Sequence, residues 1–157
     1  MQLTQFSDYA LRILLYLGTH DPQPGERLPA LADIGRAYRI SYNHLSKVAQ
    51  QLAALGFIDA MRGRTGGVRL ARPPAQINLG AVVRATESHF NLVECFDPAT
   101  NTCPIILQCG LKGYLRQALD AFIASLNDHT LAELLTTSRR ARLSSVFIQL
   151  EQQRTSR

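Results

Sequence analysis

A change of periodicity at Gly56 is the feature that most narrows what this chain can fold into. Upstream, Leu45, Val48, Ala49, Leu52 and Leu55 recur at three- and four-residue intervals behind Ser41. That pattern predicts a helix capped by the serine hydroxyl, its apolar stripe turned inward and ended by Gly56. Downstream, Phe-Ile-Asp-Ala-Met-Arg and Val-Arg-Leu-Ala-Arg flank Gly63-Arg-Thr-Gly-Gly, and Pro73 and Pro74 follow. Two short strands joined by a glycine-rich turn are expected, with the prolines closing the hairpin. Earlier in the chain, Phe6, Ala10, Ile13, Leu14 and Leu17 share one helical face between Thr4, a cap, and Gly18, a stop. After a loop through Asp21, Pro22, Pro24 and Gly25, a short helix is read near Pro29 to Tyr38, with the proline in its first turn. Helix, helix, turn, helix and hairpin form a winged helix-turn-helix, with Arg62, Arg64 and Thr65 at the wing tip. The glycines of the turn do not suit a nucleotide phosphate, since no Gly-Lys-Ser or Gly-x-Gly-x-x-Gly follows and a strand comes next.

Charge agrees with that module. The net charge of +5 is unevenly spread: between residues 27 and 72, Arg27, Arg36, Arg39, Lys47, Arg62, Arg64, Arg69 and Arg72 face only Asp33 and Asp59. Residues 80 to 135 are acidic on balance, and the chain turns basic again after Leu135. A basic stretch beside an acidic one suits a polyanion, because each cation near a phosphate releases condensed counterions. In the major groove, Ser41, Tyr42, Asn43 and His44 would reach base edges or phosphates, and Lys47 the backbone. Asn43 is the one side chain among them suited to bidentate reading of adenine. The wing would place Arg62 or Arg64 in a neighbouring minor groove.

The second half is organised differently. A helix over 78–88 is expected, capped by Asn78, with Leu79, Val82, Val83 and Thr86 inward. Regular structure then stops from His89 to Cys109, a segment too long to be only a connector. From Gly110, Leu111, Leu115, Ala118, Phe122 and Leu126 repeat helically, widened by Leu119 and Ile123. So wide a stripe suits pairing with a second copy. The expected organisation is a DNA-binding domain over 1–75, a cysteine loop and dimerisation helix over 76–135, and a flexible basic tail over 136–157. The fold class is mainly α with a small β-hairpin wing and a long dimerisation helix. No apolar run reaches the roughly 18 residues needed to span a bilayer, and the start lacks a secretory pattern. A cytoplasmic protein without a membrane partner is therefore expected.

Three cysteines, an odd number, fall in the irregular segment as Cys95-x7-Cys103-x5-Cys109. Structural zinc prefers paired Cys-x2-4-Cys knuckles, which are absent. An iron–sulfur cluster is larger and accepts thiolates arriving from separate directions. Three thiolates would leave one iron open to a carboxylate, histidine, water or partner residue, and His89 stands nearby. Metal-free thiol chemistry remains open, although Glu94 and Asp97 beside Cys95 oppose a lowered thiol pKa. No Ser/His/Asp order, paired helical carboxylates or nucleotide loop supports an enzyme.

Several of these motifs carry a resemblance. Met1-Gln-Leu-Thr-Gln-Phe-Ser-Asp-Tyr-Ala-Leu-Arg, the wing Met61-Arg-Gly-Arg-Thr-Gly-Gly-Val-Arg-Leu, Leu92-Val-Glu-Cys-Phe, Cys109-Gly-Leu-Lys and Thr130-Leu-Ala-Glu-Leu occur in order. Over residues 1 to about 135 the chain resembles the iron–sulfur winged-helix regulators, and within them the nitric oxide-sensing repressors. The resemblance implies a homodimer that binds a palindromic double-stranded operator when loaded with its cluster and releases it on meeting nitric oxide. It also implies that Cys95, Cys103 and Cys109 are ligands, joined by Asp8 from the other subunit, and that the cluster is 4Fe-4S rather than 2Fe-2S. An acid in a first helical turn also suits the helix dipole, so Asp8 has a second explanation.

Overall fold

The structure, a computed structural model, describes residues 2–20, 26–63 and 66–155, with side chains described as far as residue 150. Helix α1 (Gln5–Thr19) begins at Thr4, whose side chain accepts the amide of Ser7, and its Ala10, Ile13, Leu14 and Leu17 are buried. Around it lie α2 (Leu31–Tyr38), α3 (Tyr42–Ala54), α4 (Leu79–Thr86), α5 (Leu111–Asn127), α6 (Leu131–Leu134) and α7 (Thr137–Thr155). Strands β1 (Ile58–Met61) and β2 (Gly67–Leu70) pair antiparallel, with Ile58 opposite Leu70 and Met61 opposite Gly67. Single 3-10 turns stand at Pro74–Gln76 and Glu94–Phe96. Among the described residues no helix is long and apolar enough to cross a membrane.

The core is a helical cluster centred on α1. Leu45, Val48, Ala49 and Leu52 of α3, Ile34 of α2, Val82 of α4 and Leu131 of α6 are buried in it, and Ile58 and Val68 close it from the hairpin. Leu55, expected on the same stripe, is 39% exposed because the helix ends at Ala54. Gly56, at φ +69°, makes the turn out of α3. Pro29 lies ahead of the cap residue Ala30 instead of in the first turn of α2; its carbonyl accepts the amide of Val68 at 2.8 Å. Gly18 is not a stop. It sits inside α1, buried, where a Cβ would lie 2.3 Å from Leu135, so glycine here lets α1 approach the end of α6.

Two seams join the halves. Asn78 caps α4 by accepting the amide of Ala81, while Leu79 donates to His129 and Leu131 donates to Ile77, sewing the end of α5 to the start of α4. At the other end of α4, the hydroxyls of Thr86 and Ser7 meet at 2.8 Å in the core. Glu87 beyond it accepts from the backbone and hydroxyl of Thr4, at 2.8 and 3.0 Å.

The expected flexible tail is largely a helix, α7 over Thr137–Thr155. Its polarity hid the anchor: Phe147 is 5% exposed, with its ring 4.8 Å from that of Tyr16 and 5.5 Å from that of Tyr38. One large aromatic suffices to dock a helix whose other faces are solvated. Burial, opposed by Arg12 nearby, pushes the Tyr38 phenol up to about 12. Phe147→Ala should therefore lower stability by about 3 kcal/mol in chemical denaturation; an unchanged midpoint would make α7 dispensable to the core.

Candidate functional site

The turn between α2 and α3 sets the first surface. Arg39 adopts the left-handed conformation (φ 57°), and Ile40 donates to Gly35 at 3.0 Å, so the chain reverses within two residues. Ser41 then caps α3 by accepting the amide of His44 at 3.4 Å. Because Leu45, Val48 and Leu52 point inward, Tyr42, Asn43, His44 and Lys47 are left on the exposed face with Ser41 at its start. A groove of about 490 Å³ beside them is lined by Arg36, Arg39, Ser41 and Tyr42. Sequence reasoning counted both arginines as charge without placing them there; the left-handed turn does so. It also missed Tyr9, whose ring stacks on His44 with centroids 6.2 Å apart. The available signal was an aromatic one turn ahead of Ile13, beside the buried stripe.

The wing is fixed at its base. A Cβ on Gly67 would lie 2.5 Å from the carbonyl oxygen of Pro29, so only glycine lets β2 lie against that segment. Arg72 donates to the carbonyls of Gly56 and Leu55, at 2.8 and 3.1 Å, with its guanidinium 5.0 Å from the Phe57 ring centroid. Arg69 pairs across the hairpin with Asp59 at 3.5 Å, and Arg36 pairs with Asp33. Part of the basic excess is thus spent within the fold. Arg39, Lys47 and Arg62 are exposed and form no ion pair with a described residue. Arg64 and Thr65 lie outside the described residues.

The three thiols are free and half-buried. Among the described residues, no three cysteine, histidine or acidic side chains converge into a metal-holding group, so neither the thiols nor Asp8 are drawn together. Asp8 instead holds Arg12 of its own helix through two contacts of 2.9 Å, and that hydrogen bond raises the arginine pKa. His89 is exposed, its Nδ1 accepting the amide of Asn91 at 3.4 Å.

The loop nevertheless has a built base. Thr102 donates its amide and its hydroxyl to one oxygen of Glu94, each at 2.6 Å. Cys95 and Cys103 are the sequence neighbours of that contact, and within the turn it closes Asp97 accepts from Ala99 and Asn101. Arg116 of α5 lies 4.1 Å from the ring centroid of the buried Phe96, next to Cys95. Cys109 stands just ahead of Gly110, where α5 begins. As a donor set, three unpaired thiols on one short irregular segment fit an iron–sulfur cluster. The Glu94 and Arg116 contacts join residues far apart on any periodic pattern, so no sequence signal marked them.

The model of the Rrf2 family, described as an iron-dependent transcriptional regulator, matches residues 3–137. The chain belongs to the Rrf2 family. A protein of Halalkalibacterium halodurans named HTH-type transcriptional regulator NsrR is 49% identical over 87% of this chain and 91% of its own length. A protein of the same name from Geobacillus kaustophilus is 48% identical over 86% and 90%. The solved structure named T. potens IscR, 20% identical, shares the fold with a TM-score of 0.68 over 90% of each chain. As a member of the Rrf2 family the protein is a DNA-binding transcriptional regulator with a winged helix-turn-helix, not an enzyme. The family match ends where α7 begins.

The two bonds from Thr102 hold the Glu94 carboxyl below its usual value of 4.5. Its native pKa being depressed, the closing contribution is complete above the unfolded value and is lost as pH falls through the native one. Amide exchange at Thr102 should thus be slow at neutral pH and accelerate on acidification below about 4.5; a rate that follows only the intrinsic pH dependence would remove Glu94 as the clasp.

Proposed function

We propose that this Rrf2 protein is a homodimeric repressor that reads a palindromic operator and reports nitric oxide through an iron–sulfur cluster, 4Fe-4S in preference to 2Fe-2S. Cys95, Cys103 and Cys109 would hold the cluster and Asp8 of a second copy would complete it. When bound, the cluster supplies an iron site that nitric oxide attacks. The observation that carries the reading is the double attachment of α1. Its Tyr9 rests on His44 of the reading helix, while Thr4 and Ser7 are fastened to Glu87 and Thr86, the residues that lead into the cysteine segment.

The residues then divide the work. Asn43 reads a base edge, Ser41, Tyr42 and His44 contact bases or phosphates, and Lys47 neutralises backbone charge. Arg62, Arg64 and Thr65 follow the neighbouring groove, with Arg36 and Arg39 flanking the entry of α3. Asp8 must leave Arg12 to reach a partner's loop, and with it the start of α1 shifts beneath the reading helix. The second copy has a surface to meet: at the start of α5, Leu111 and Tyr114 are 59% and 72% exposed, next to Ile105 and Leu107 at 58% and 89%. Apolar side chains this open are costly to leave in water.

Three outcomes test this reading. Protein purified without air should be coloured and contain iron and sulfide, and each of Cys95→Ala, Cys103→Ala and Cys109→Ala should lose both; iron-free protein with full operator affinity would overturn it. Lys47→Ala should reduce the salt slope of operator binding by about one, whereas an unaltered slope would take Lys47 off the backbone. Tyr114→Glu should sediment as a 17.4 kDa monomer where the parent is a dimer; an unchanged dimer would place the interface elsewhere.

A further inference from the structure

Behind the wing, away from the reading face of α3, a cleft of about 570 Å³ lies between the C-terminal end of α1, strand β2 and Arg140 of α7. The volume is in the range of small-molecule sites. Its walls are mixed: Leu17, Pro29, Val68 and Leu70 form an apolar side, and His20, Asp59, Arg69, Arg72 and Arg140 line the rest. The Nε of Arg140 is buried and meets no acceptor. No carboxylate among the described residues pairs with its guanidinium.

The other polar groups of the cleft are already occupied. Asp59 is paired with Arg69, and Arg72 is spent on two backbone carbonyls. His20 is held through Nδ1 to the Tyr16 carbonyl oxygen at 2.8 Å, with its ring stacked on that of Tyr16. Arg140 is left as the positive group without a counterpart. A guanidinium cannot shed its charge, so Arg140, which lines the cleft without an ion-pair partner among the described residues, calls for an anion from outside. Its planar donor fork matches a carboxylate, and the apolar side formed by Leu17, Val68 and Leu70 accepts a short hydrocarbon body behind that head.

We propose that this cleft binds a small organic carboxylate, its head on Arg140 and its body against Leu17, Val68 and Leu70. None of the thiols takes part, so the site is independent of the cysteine loop. Its occupant would bridge the base of the wing to α7 and so stiffen the hairpin relative to α3.

Benzoate is a suitable probe, compared with neutral benzamide and inorganic phosphate in calorimetric titrations of the full chain. The Arg140 Nε–Hε resonance would be followed in parallel. Benzoate should saturate one site per chain and displace that resonance, with benzamide and phosphate each at least tenfold weaker. Arg140→Gln should weaken benzoate at least tenfold, and Arg140→Lys less. Benzamide binding as well as benzoate, phosphate binding as well as benzoate, or an unmoved resonance at saturation would each overturn the proposal without needing a folded variant.

Discussion

Burial of one face of α1 is the constraint on which the rest of the molecule depends. Ala10, Ile13 and Leu14 are fully buried and Leu17 nearly so, and α3, α4, α6, α7 and the hairpin all pack against that helix. Burying Ile13, Leu14 and Leu17 contributes on the order of 1.5–3 kcal/mol each, so the helix cannot be displaced piecemeal. Its approach to its neighbours is equally constrained. Gly18 leaves no space for a side chain against Leu135, and the Ser7–Thr86 hydroxyl pair fixes the register of α1 on α4 from within the core. Moving the first turn of α1 therefore means moving what is attached to it.

Both attachments are chemically informative. On one side, the exposed face of α3 exists because its opposite face is bound to α1, and Tyr9 touches that face directly through His44. On the other, α4 ends at Glu87 under Thr4, and the chain runs from there into the segment closed by Glu94 and Thr102. Arg116 reaches back from α5 to Phe96, so the same segment is also fastened to the helix whose first turn is left apolar and open. In the proposed function, a disturbance at the thiols reaches the reading helix and the surface for a second copy through these contacts. Asp8, in the first turn of α1, is held by Arg12 of the same helix.

Much of this architecture was legible because it obeys simple periods. The stripes through Ala10 to Leu17 and Leu45 to Leu52, the caps Thr4, Ser41 and Asn78, and the switch to a hairpin after Gly56 follow from local rules. What was not legible depends on contacts between distant residues. A proline read as a helix start became a partner for β2, and a glycine read as a stop became a close-packing position. Helix α7 was missed because its docking rests on Phe147 finding Tyr16 and Tyr38 across the chain. At the site, the exposed face of α3 was visible in advance, whereas the neutralisation of Arg69 and Arg72 and the clasp at Glu94 required the fold.

The central claim is that the condition of the cysteine segment governs the grip of α3 on DNA. The most direct measurement is the affinity of oxygen-free, full-length protein for an operator selected from random duplexes, determined before and after stoichiometric nitric oxide at fixed salt. The account predicts tight binding that falls by at least tenfold after exposure, with the dimer intact. Equal affinity in the two titrations, for protein whose iron has demonstrably reacted, would contradict it.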